Sequence, residues 1–518
     1  MKRNEMIEKI SKNTKEYDFI IIGGGATGIG IALDASARGY SVILLEMSDF
    51  TKSTSSKSTK LVHGGVRYLA QGDVALVREA VVERGLLTQN APHLVKDQSF
   101  IIPTQSFFDE VQYTVGLTFY DLLAGKLSLG RSKRISKAKT LKRISTINPE
   151  KITAGVVYHD GQFDDTRLAI NALQSATERG AIVINYCKVT GLMKDAKGNV
   201  SGVKFFDEEE KKSYEIKGKQ VVNATGVFAD DVLKMDSPNA KKTIAPSQGV
   251  HLVLDKSFLP DNDAIMIPKT DDGRVLFLVP WHGRVIVGTT DTPIKEESLE
   301  PIALEEEIEF ILKTAERYLI KAPKRSDVLS VFAGLRPLAA AEEGKKTKEI
   351  SRSHKIFTSD SGLLTIVGGK WTTFRKMGED LVDKSEKKNS WAHIPTKTKH
   401  LKIHGYKENV DYNNPLYFYG SDEEGVLDLA SKNGNGDFIS TSLEIINAQV
   451  VWAVRNEMAR TVEDFLARRT RCQLLDARES IKMAPKVAQI MAVELGKDKA
   501  WETAQVNDYL QVTSNYIL

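Results

Sequence analysis

An α/β fold with an antiparallel second domain and a helical C-terminal domain is predicted by three features of the chain. A strand–glycine turn–helix–strand unit occupies residues 17–46. Alternating apolar strands separated by turn residues begin near residue 246. Helical periodicity governs residues 444–469 and 482–495.

The first sixteen residues alternate charges and lack an apolar core, so they are neither a secretory signal nor a recognisable element, and 1–16 reads as a tail. Residues 19–22 are an apolar, β-branched run that fits a buried strand. Gly23, Gly25 and Gly28 then complete G-x-G-x-x-G, residues 27–38 have helical spacing, and Gly39 stops the helix. Gly23 permits the tight turn, Gly25 a close approach of backbone to a pyrophosphate, and Gly28 close helix–strand packing. The helix N-terminus presents N–H groups to the phosphates. The second strand, 42–45, ends in Glu46, whose carboxylate accepts from ribose hydroxyls and repels a 2′-phosphate.

The next stretch is dense in hydroxyls and basic groups. Thr54, Ser55, Ser56, Ser58 and Lys60 are candidate donors to phosphate and ribityl oxygens, with a solvated linker as the plainer alternative. His63-Gly64-Gly65 lets backbone lie against a flat ring. Residues 66–90 read as helix. Eight basic residues and no acid occur from Lys126 to Arg143. They form either a solvated face or a contact for anionic lipid headgroups. Nucleic acid is disfavoured, because the stretch has no aromatic residue for stacking.

Residues 155–165 read as strand and turn, 166–180 as helix and 181–185 as strand. One of Asp164 and Asp165 is expected to cap the helix rather than to serve a metal or an acid–base dyad. Residues 219–224 form another buried strand, ended by Thr225-Gly226. The antiparallel section follows, with strands at 246–254, 275–279 and 285–287, helix 304–319, and strand 328–338 carrying Arg336 before Pro337. A buried strand at 363–367, then Gly368-Gly369-Lys370 and a helix, implies a return to the first domain.

At roughly 100–200 residues per domain, 518 residues make two to four units. A net charge of +4 does not by itself imply nucleic acid or membrane. Cys187 and Cys472 form no disulfide framework or metal-ligand spacing, read as inert core thiols and fit a reducing compartment. No run of about 18 apolar residues spans a bilayer.

The ordered set SSKSTKLVHGGVRYL, DGQFDD, VNATGVFAD, SQGVHLVL, VGTTDTP, FAGLRPL and VGGKWTTFRKMGEDL resembles the FAD-dependent glycerol-3-phosphate dehydrogenases, and VVWAVRNEMARTVEDFLARRTR resembles their helical cap. The resemblance covers about residues 17–495. It implies an FAD-binding Rossmann-like domain of the glycine/D-amino-acid-oxidase-like class, an antiparallel-sheet substrate domain and the helical C-terminal domain. The implied boundaries are 17–389 for the oxidoreductase region and 390–518 for the C-terminal domain. Within the former, FAD segments are about 17–90, 150–245 and 355–389, and substrate or cap segments about 91–149 and 246–354.

The implied reaction is oxidation of sn-glycerol 3-phosphate to dihydroxyacetone phosphate by hydride transfer from C2 to flavin N5. Absence of the long insertion that marks glycerophosphate oxidases favours a membrane quinone as acceptor. A protein on the cytoplasmic, inner face of the cell membrane follows, with an anionic lipid surface and a possible second copy of the chain as partners. Alternatives are an oxidase using O2 and a non-catalytic flavin-binding protein. No metal is expected.

Arg336 and Arg352 are the expected phosphate ligands, since a guanidinium fork grips phosphate oxygens in pairs. Arg67, Tyr68, Lys370 and Thr372 complete the substrate set. His251 is the first choice for the base, on the ground that an unperturbed imidazole titrates near neutrality. Lys370 is its rival, and Arg336 completes the catalytic group. Cofactor contacts are expected from Gly23, Gly25, Gly28, Glu46, Thr54, Ser55, Ser56, Lys60, His63, Gly64, Gly65, Val189, Ala224, Gly226, Gly369, Thr372 and Thr373. The amides of the last two begin a helix able to stabilise negative charge on reduced flavin.

Overall fold

The computed structural model describes residues 1–70, 72–270, 273–339, 353–432 and 434–518, with backbone alone at 67 and 70. A parallel core sheet runs in the order Leu364–Val367, Lys212–Asn223, Tyr17–Ile22, Val42–Leu45, Ile182–Ile184. Such a sheet is covered on both faces, which is why its strands are continuous apolar runs. Tyr17–Ile22 and Val42–Leu45 flank the helix Ala26–Arg38, and Ile22 lies opposite both Leu45 and Asn223. The return inferred from 363–367 is present: the helix Phe374–Lys388 packs on Ala26–Arg38. The contact is close because a Cβ on Gly378 would stand 2.2 Å from Gly30 O.

The second sheet is mostly antiparallel. Its longest ladder pairs Ile244–Asp255 with Val328–Ala339, and Arg284–Gly288, Leu276–Trp281, Ala264–Ile267, Val95–Thr104 and Ala154–Phe163 follow in order. Here one expected boundary needs correction. Residues 154–163, and the short strand Leu61–Val62, belong to this sheet rather than to the cofactor sheet. Ala154–Phe163 is buried at nine of its ten positions, so it shows no alternation to mark it as antiparallel.

Three further corrections concern helices. The tail is a docked helix, Arg3–Lys12, whose Met6, Ile7 and Ile10 enter the main core while Arg3 bonds Asp207 at 2.8 Å. Residues 66–90 form two helices, Val66–Ala70 and Val74–Asn90. Gly72 adopts φ +82° between them and the Asp73 side chain caps the second. Residues 444–469 are likewise broken, into Asn447–Asn456 and a π-helical turn Asp464–Arg469. Asp164 does cap the helix Asp165–Thr177, accepting from Arg167 N. Both cysteines are free and buried, and burial raises both thiol pKa values, that of Cys472 to about 11.

Candidate active site

Two cavities meet where the sheets join. The larger, about 620 Å³, runs along the C-terminal ends of the parallel strands. Gly23, Gly25, Glu46, Thr54, Ser55, Val189, Ala224, Gly226 and Gly369 all line it. The glycine turn is as tight as the motif requires. A Cβ on Gly28 would stand 1.9 Å from Gly23 O, and one on Gly23, at φ +110°, would stand 2.7 Å from Ala224 O. Gly25 caps the helix without a side chain, so the helix N-terminus faces the cavity through bare backbone. Glu46 is fixed by Gly24 N (2.7 Å) and Ser48 N (2.9 Å), each carboxylate oxygen retaining a lone pair for a hydroxyl donor. Burial raises its pKa against these amide bonds. This cradle fits a dinucleotide with unphosphorylated ribose, such as FAD.

Some expected donors turn elsewhere. Lys60 is fully buried, its Nζ bonded to Asp165 (2.6 Å) and Ser56 O (2.6 Å), and Ser58 bonds the same Asp165. Ser56 donates to Ser53 O. These three brace the loop from behind instead of lining the cavity. A buried ammonium needs such a partner, because an isolated one would lose its proton. Thr54 donates to Leu335 O, and Ser55 accepts from Ala26 N at the start of the motif helix. Thr373 N–H already closes a turn on Lys370 O (3.0 Å), so of the two expected amide donors it is engaged. Thr372 Oγ1 accepts from His63 N (3.1 Å) and ties the helix start to the 63–65 turn.

The smaller cavity, about 190 Å³, is lined by Thr59, His63, Gly65, Tyr68, Asp160, Arg274, Thr289, Asp291 and Arg336, among others. Lys370 links the two spaces: it lines the larger cavity, and its Nζ lies 4.3 Å over the Tyr68 ring. Gly65, at φ +85°, is obligatory beside them, since a Cβ would stand 2.4 Å from that ring. Gly64 N donates to Tyr120 OH (2.7 Å). Tyr120 in turn donates to Asp160 (2.7 Å), which Arg84 neutralises at 2.6 Å.

Arg336 and His251 lie on one face of the long ladder. Ser247 is opposite Arg336 and His251 is opposite Phe332, with Gly249 opposite Gly334 between them. The glycines make the room. A Cβ on Gly249 would stand 2.4 Å from Arg336 Nη2, and one on Gly288 2.4 Å from His251 Cδ2. Arg336 is oriented by Thr289 Oγ1 (3.1 Å), Thr290 O (3.0 Å) and Asp291 (3.3 Å). His251 is buried, stacks on Phe332 at 4.8 Å, and meets the cavity only through Thr59 Oγ1, 2.9 Å from its Nε2. The expectation of an unperturbed imidazole is therefore corrected. Burial, with Arg336 and Lys60 nearby, pushes its pKa well below the usual value and keeps it neutral.

Arg352 and the Arg67 side chain lie outside the described residues. Sequence reasoning missed Arg274, which lines the smaller cavity and stacks on Phe310 at 4.7 Å. It also missed Thr59, Asp160 and Asp291. Arg274 sits in a short polar turn that resembles any surface loop, and Asp160 gave no signal apart from the capping pair that follows it.

Comparison with known proteins agrees with this geometry. Residues 18–375 match the family model described as FAD dependent oxidoreductase, and 364–502 that described as the C-terminal domain of alpha-glycerophosphate oxidase. The chain is 37% identical to the mitochondrial glycerol-3-phosphate dehydrogenase of Schizosaccharomyces pombe, covering 99% of this chain and 88% of that protein. It is 36% identical to the Mus musculus counterpart, covering 98% and 74%. The solved glycerol-3-phosphate dehydrogenase of Bacillus halodurans, complexed with FAD, superposes with a TM-score of 0.80 at 29% identity, covering 99% of this chain and 97% of that one. Glycine oxidase from Geobacillus kaustophilus shares the fold at a TM-score of 0.55 and 17% identity, covering 75% and 99%.

Proposed function

Because this chain belongs to the glycerol-3-phosphate dehydrogenases of the FAD-dependent oxidoreductase family, we propose that it oxidises sn-glycerol 3-phosphate at C2 to dihydroxyacetone phosphate and passes the electrons to a membrane quinone. The observation that carries this reading is the large cavity at the glycine turn beside a small one lined by Arg274 and Arg336, with Lys370 in the wall of the first and over Tyr68 in the wall of the second. Arg336, oriented by its own hydrogen bonds, with Arg274 and Lys370 held against the Phe310 and Tyr68 rings, suits a phosphate dianion and loses little on binding it. Bound FAD supplies the hydride acceptor.

The protein's own part is to hold the phosphate, orient C2 and take the hydroxyl proton. Arg336 presents a guanidinium already oriented by Thr289, Thr290 and Asp291. We assign the proton to His251 through Thr59, and substrate holding to Lys370. Arg336 is one of the charges that depress His251, so a dianion on Arg336 offsets that charge and makes the imidazole a better base when substrate is present. The Tyr120–Asp160–Arg84 chain keeps the 63–65 turn in place against the ring.

Quinones reside in bilayers, and no helix among the described residues is long and apolar enough to cross one. A surface contact is therefore required, and the helix Phe107–Ala124 supplies it. Phe107, Phe108, Val111, Val115, Phe119 and Leu122 are exposed along it, the two phenylalanines by about three quarters. Exposed Lys126, Arg131, Lys133, Lys137, Lys139 and Lys142 follow immediately. The basic stretch alone is half of the expected lipid surface: its own Ile135 and Ile144 point inward, and the apolar half lies on the preceding helix. An anionic bilayer suits both. Burying a phenylalanine is worth about 2 kcal/mol and each basic residue near the headgroups about 1 kcal/mol. Replacing Phe107 and Phe108 with Ser should cut binding to phosphatidylglycerol vesicles at least tenfold while dye-coupled activity persists. Undiminished binding would reject the assignment, and a dimer that becomes monomeric would reassign the face to a second copy of the chain.

The reaction itself is tested by anaerobic titration of the holoenzyme. Glycerol 3-phosphate should bleach the flavin absorbance stoichiometrically and glycerol should not. A flavin untouched by the phosphorylated substrate would support a non-catalytic flavoprotein. In air, peroxide formed at the rate of substrate loss would favour the oxidase.

A further inference from the structure

The helical C-terminal domain contributes no side chain to the lining of either cavity, yet three consecutive contacts run from it into the loop that frames the larger one. That loop, residues 46–60, starts at Glu46 and carries Lys52, Thr54 and Ser55 into the cavity wall. Three residues after Glu46 is Asp49, fully buried. Arg468 Nε reaches its Oδ2 at 2.5 Å, and Arg469 grips both oxygens at 2.7 and 2.9 Å. Glu463 holds Lys52 at 2.7 Å. Near the C-terminus, Tyr516 bonds Lys57. Arg471 pairs with Asp164, next to the Asp165 that holds Lys60 and Ser58. The beginning and middle of the loop are thus tied to one turn of a domain more than 400 residues away in the chain, and Lys57 near its end to Tyr516 of the same domain.

The backbone of that turn departs from ordinary helix. Asp464–Arg469 is π-helical, and Arg471 adopts φ +61° although it is not glycine. Such conformations persist where surrounding contacts over-determine them, and they gather at functional places. Here they aim Arg468, Arg469 and Arg471, each at most 2% exposed, across the domain boundary. Buried ion pairs of this kind add little net stability but fix geometry. What they fix is Gly24 and, through its amide, Glu46, by way of Asp49, Phe50 and Thr51. Thr51 N donates to Gly24 O at 3.1 Å, and the Phe50 ring lies under Gly24.

We propose that the 463–471 turn is a latch for FAD, with Arg468, Arg469 and Glu463 as positioning residues that set how tightly the cofactor is held by anchoring the 46–55 wall from outside. The latch rests on membership of the FAD family and not on the identity of the substrate. The test therefore needs no substrate. It measures FAD release from the purified holoenzyme, by recovery of flavin fluorescence after dilution, at a temperature well below unfolding. Glu463→Gln and Arg469→Met should each accelerate release at least tenfold, and the double variant Asp49→Asn/Arg469→Gln should do the same while leaving no unpaired buried charge. Arg455→Gln removes an ion pair to Glu494 inside the same domain and should leave release unchanged. Wild-type release rates in folded Glu463→Gln and in the double variant would overturn the proposal. So would equal acceleration by Arg455→Gln, because the effect would then be general destabilisation.

Discussion

At the scale of single residues, the proposed site depends on cations beside the cavities, of which Arg336 is oriented by its own hydrogen bonds before any ligand arrives. Arg336 is held by three consecutive residues, Thr289, Thr290 and Asp291, of the link that follows the strand Arg284–Gly288, so replacing it with Met removes both charge and fork. Loss of such a charge-assisted bidentate contact is worth about 2–3 kcal/mol. KM for glycerol 3-phosphate should therefore rise roughly 30- to 150-fold by that energy, as read in dye-coupled steady-state assays. His251 and Lys370 separate by their pH profiles. His251→Asn should lower kcat at least a hundredfold across the whole range, the usual scale for loss of an acid–base group. Lys370→Met should act mainly on KM. The reverse pattern would make Lys370 the base. Of these residues the glycine unit was legible from local turn chemistry, while Arg336, Lys370 and Tyr68, which the structure places at the cavities, were legible with the motifs that carry the family resemblance. Arg274 and Thr59 were not, since a cavity wall assembled from separate turns leaves no mark on any one of them. The depressed pKa of His251 was equally hidden, because it comes from burial beside Arg336 and Lys60.

At the scale of elements, helices and strands join the site to the rest of the protein. The helix Phe107–Ala124 shows bulk apolar groups outward and Tyr120 inward, where its hydroxyl fixes Gly64. Its exposed stripe was not legible in sequence because the helix is apolar on both faces, with Leu117, Tyr120 and Ala124 buried opposite the exposed set. The segment around residues 403–420 seals His93, whose ring lies 3.4 Å from Asn171 and against the positive-φ Gly405 and Gly420. Burial pushes the His93 pKa down to about 4. Since the folded pKa is below the unfolded value of about 6.5, the unfolded state binds more protons in between. Stability is therefore full above pH 6.5 and falls as pH drops from 6.5 to 4, by about 3 kcal/mol from this group. His93→Gln should flatten that part of the acid-side slope in urea melts between pH 7.5 and 5. An unchanged slope would show that the ring charges without unfolding the segment.

On the scale of the whole molecule, two sheets and a helical domain converge on one seam. The parallel sheet was legible because its strands are continuous apolar runs beside a glycine turn, whereas the antiparallel strands, also buried on both faces, were legible mainly from turn residues between them such as His282-Gly283. Ala154–Phe163 was misplaced because, buried along nearly its whole length, it resembles the first kind. The docking of the tail helix and of the C-terminal turn was not legible at all. Their partners, Asp207 for Arg3 and Asp49 for Arg468, lie hundreds of residues away, and a lone charged residue in a sequence does not name its counter-ion. Removing residues 1–12 should uncover the core surface that Met6, Ile7 and Ile10 cover, and the Asp207 carboxylate that Arg3 pairs with. Thermal unfolding of the truncated holoenzyme should occur several degrees lower, with flavin reduction intact. Unaltered unfolding would show that the helix adds nothing to the fold.

The central claim is that fixed cations clamp the phosphate of a secondary alcohol beside FAD. Rapid-mixing measurement of anaerobic flavin bleaching tests it most directly, in the native protein and in Arg336→Met, with glycerol 3-phosphate and with glycerol. The native protein should reduce far faster with the phosphorylated alcohol, and most of that advantage should vanish in the variant. Equal rates with the two alcohols, or an advantage that survives loss of Arg336, would contradict it.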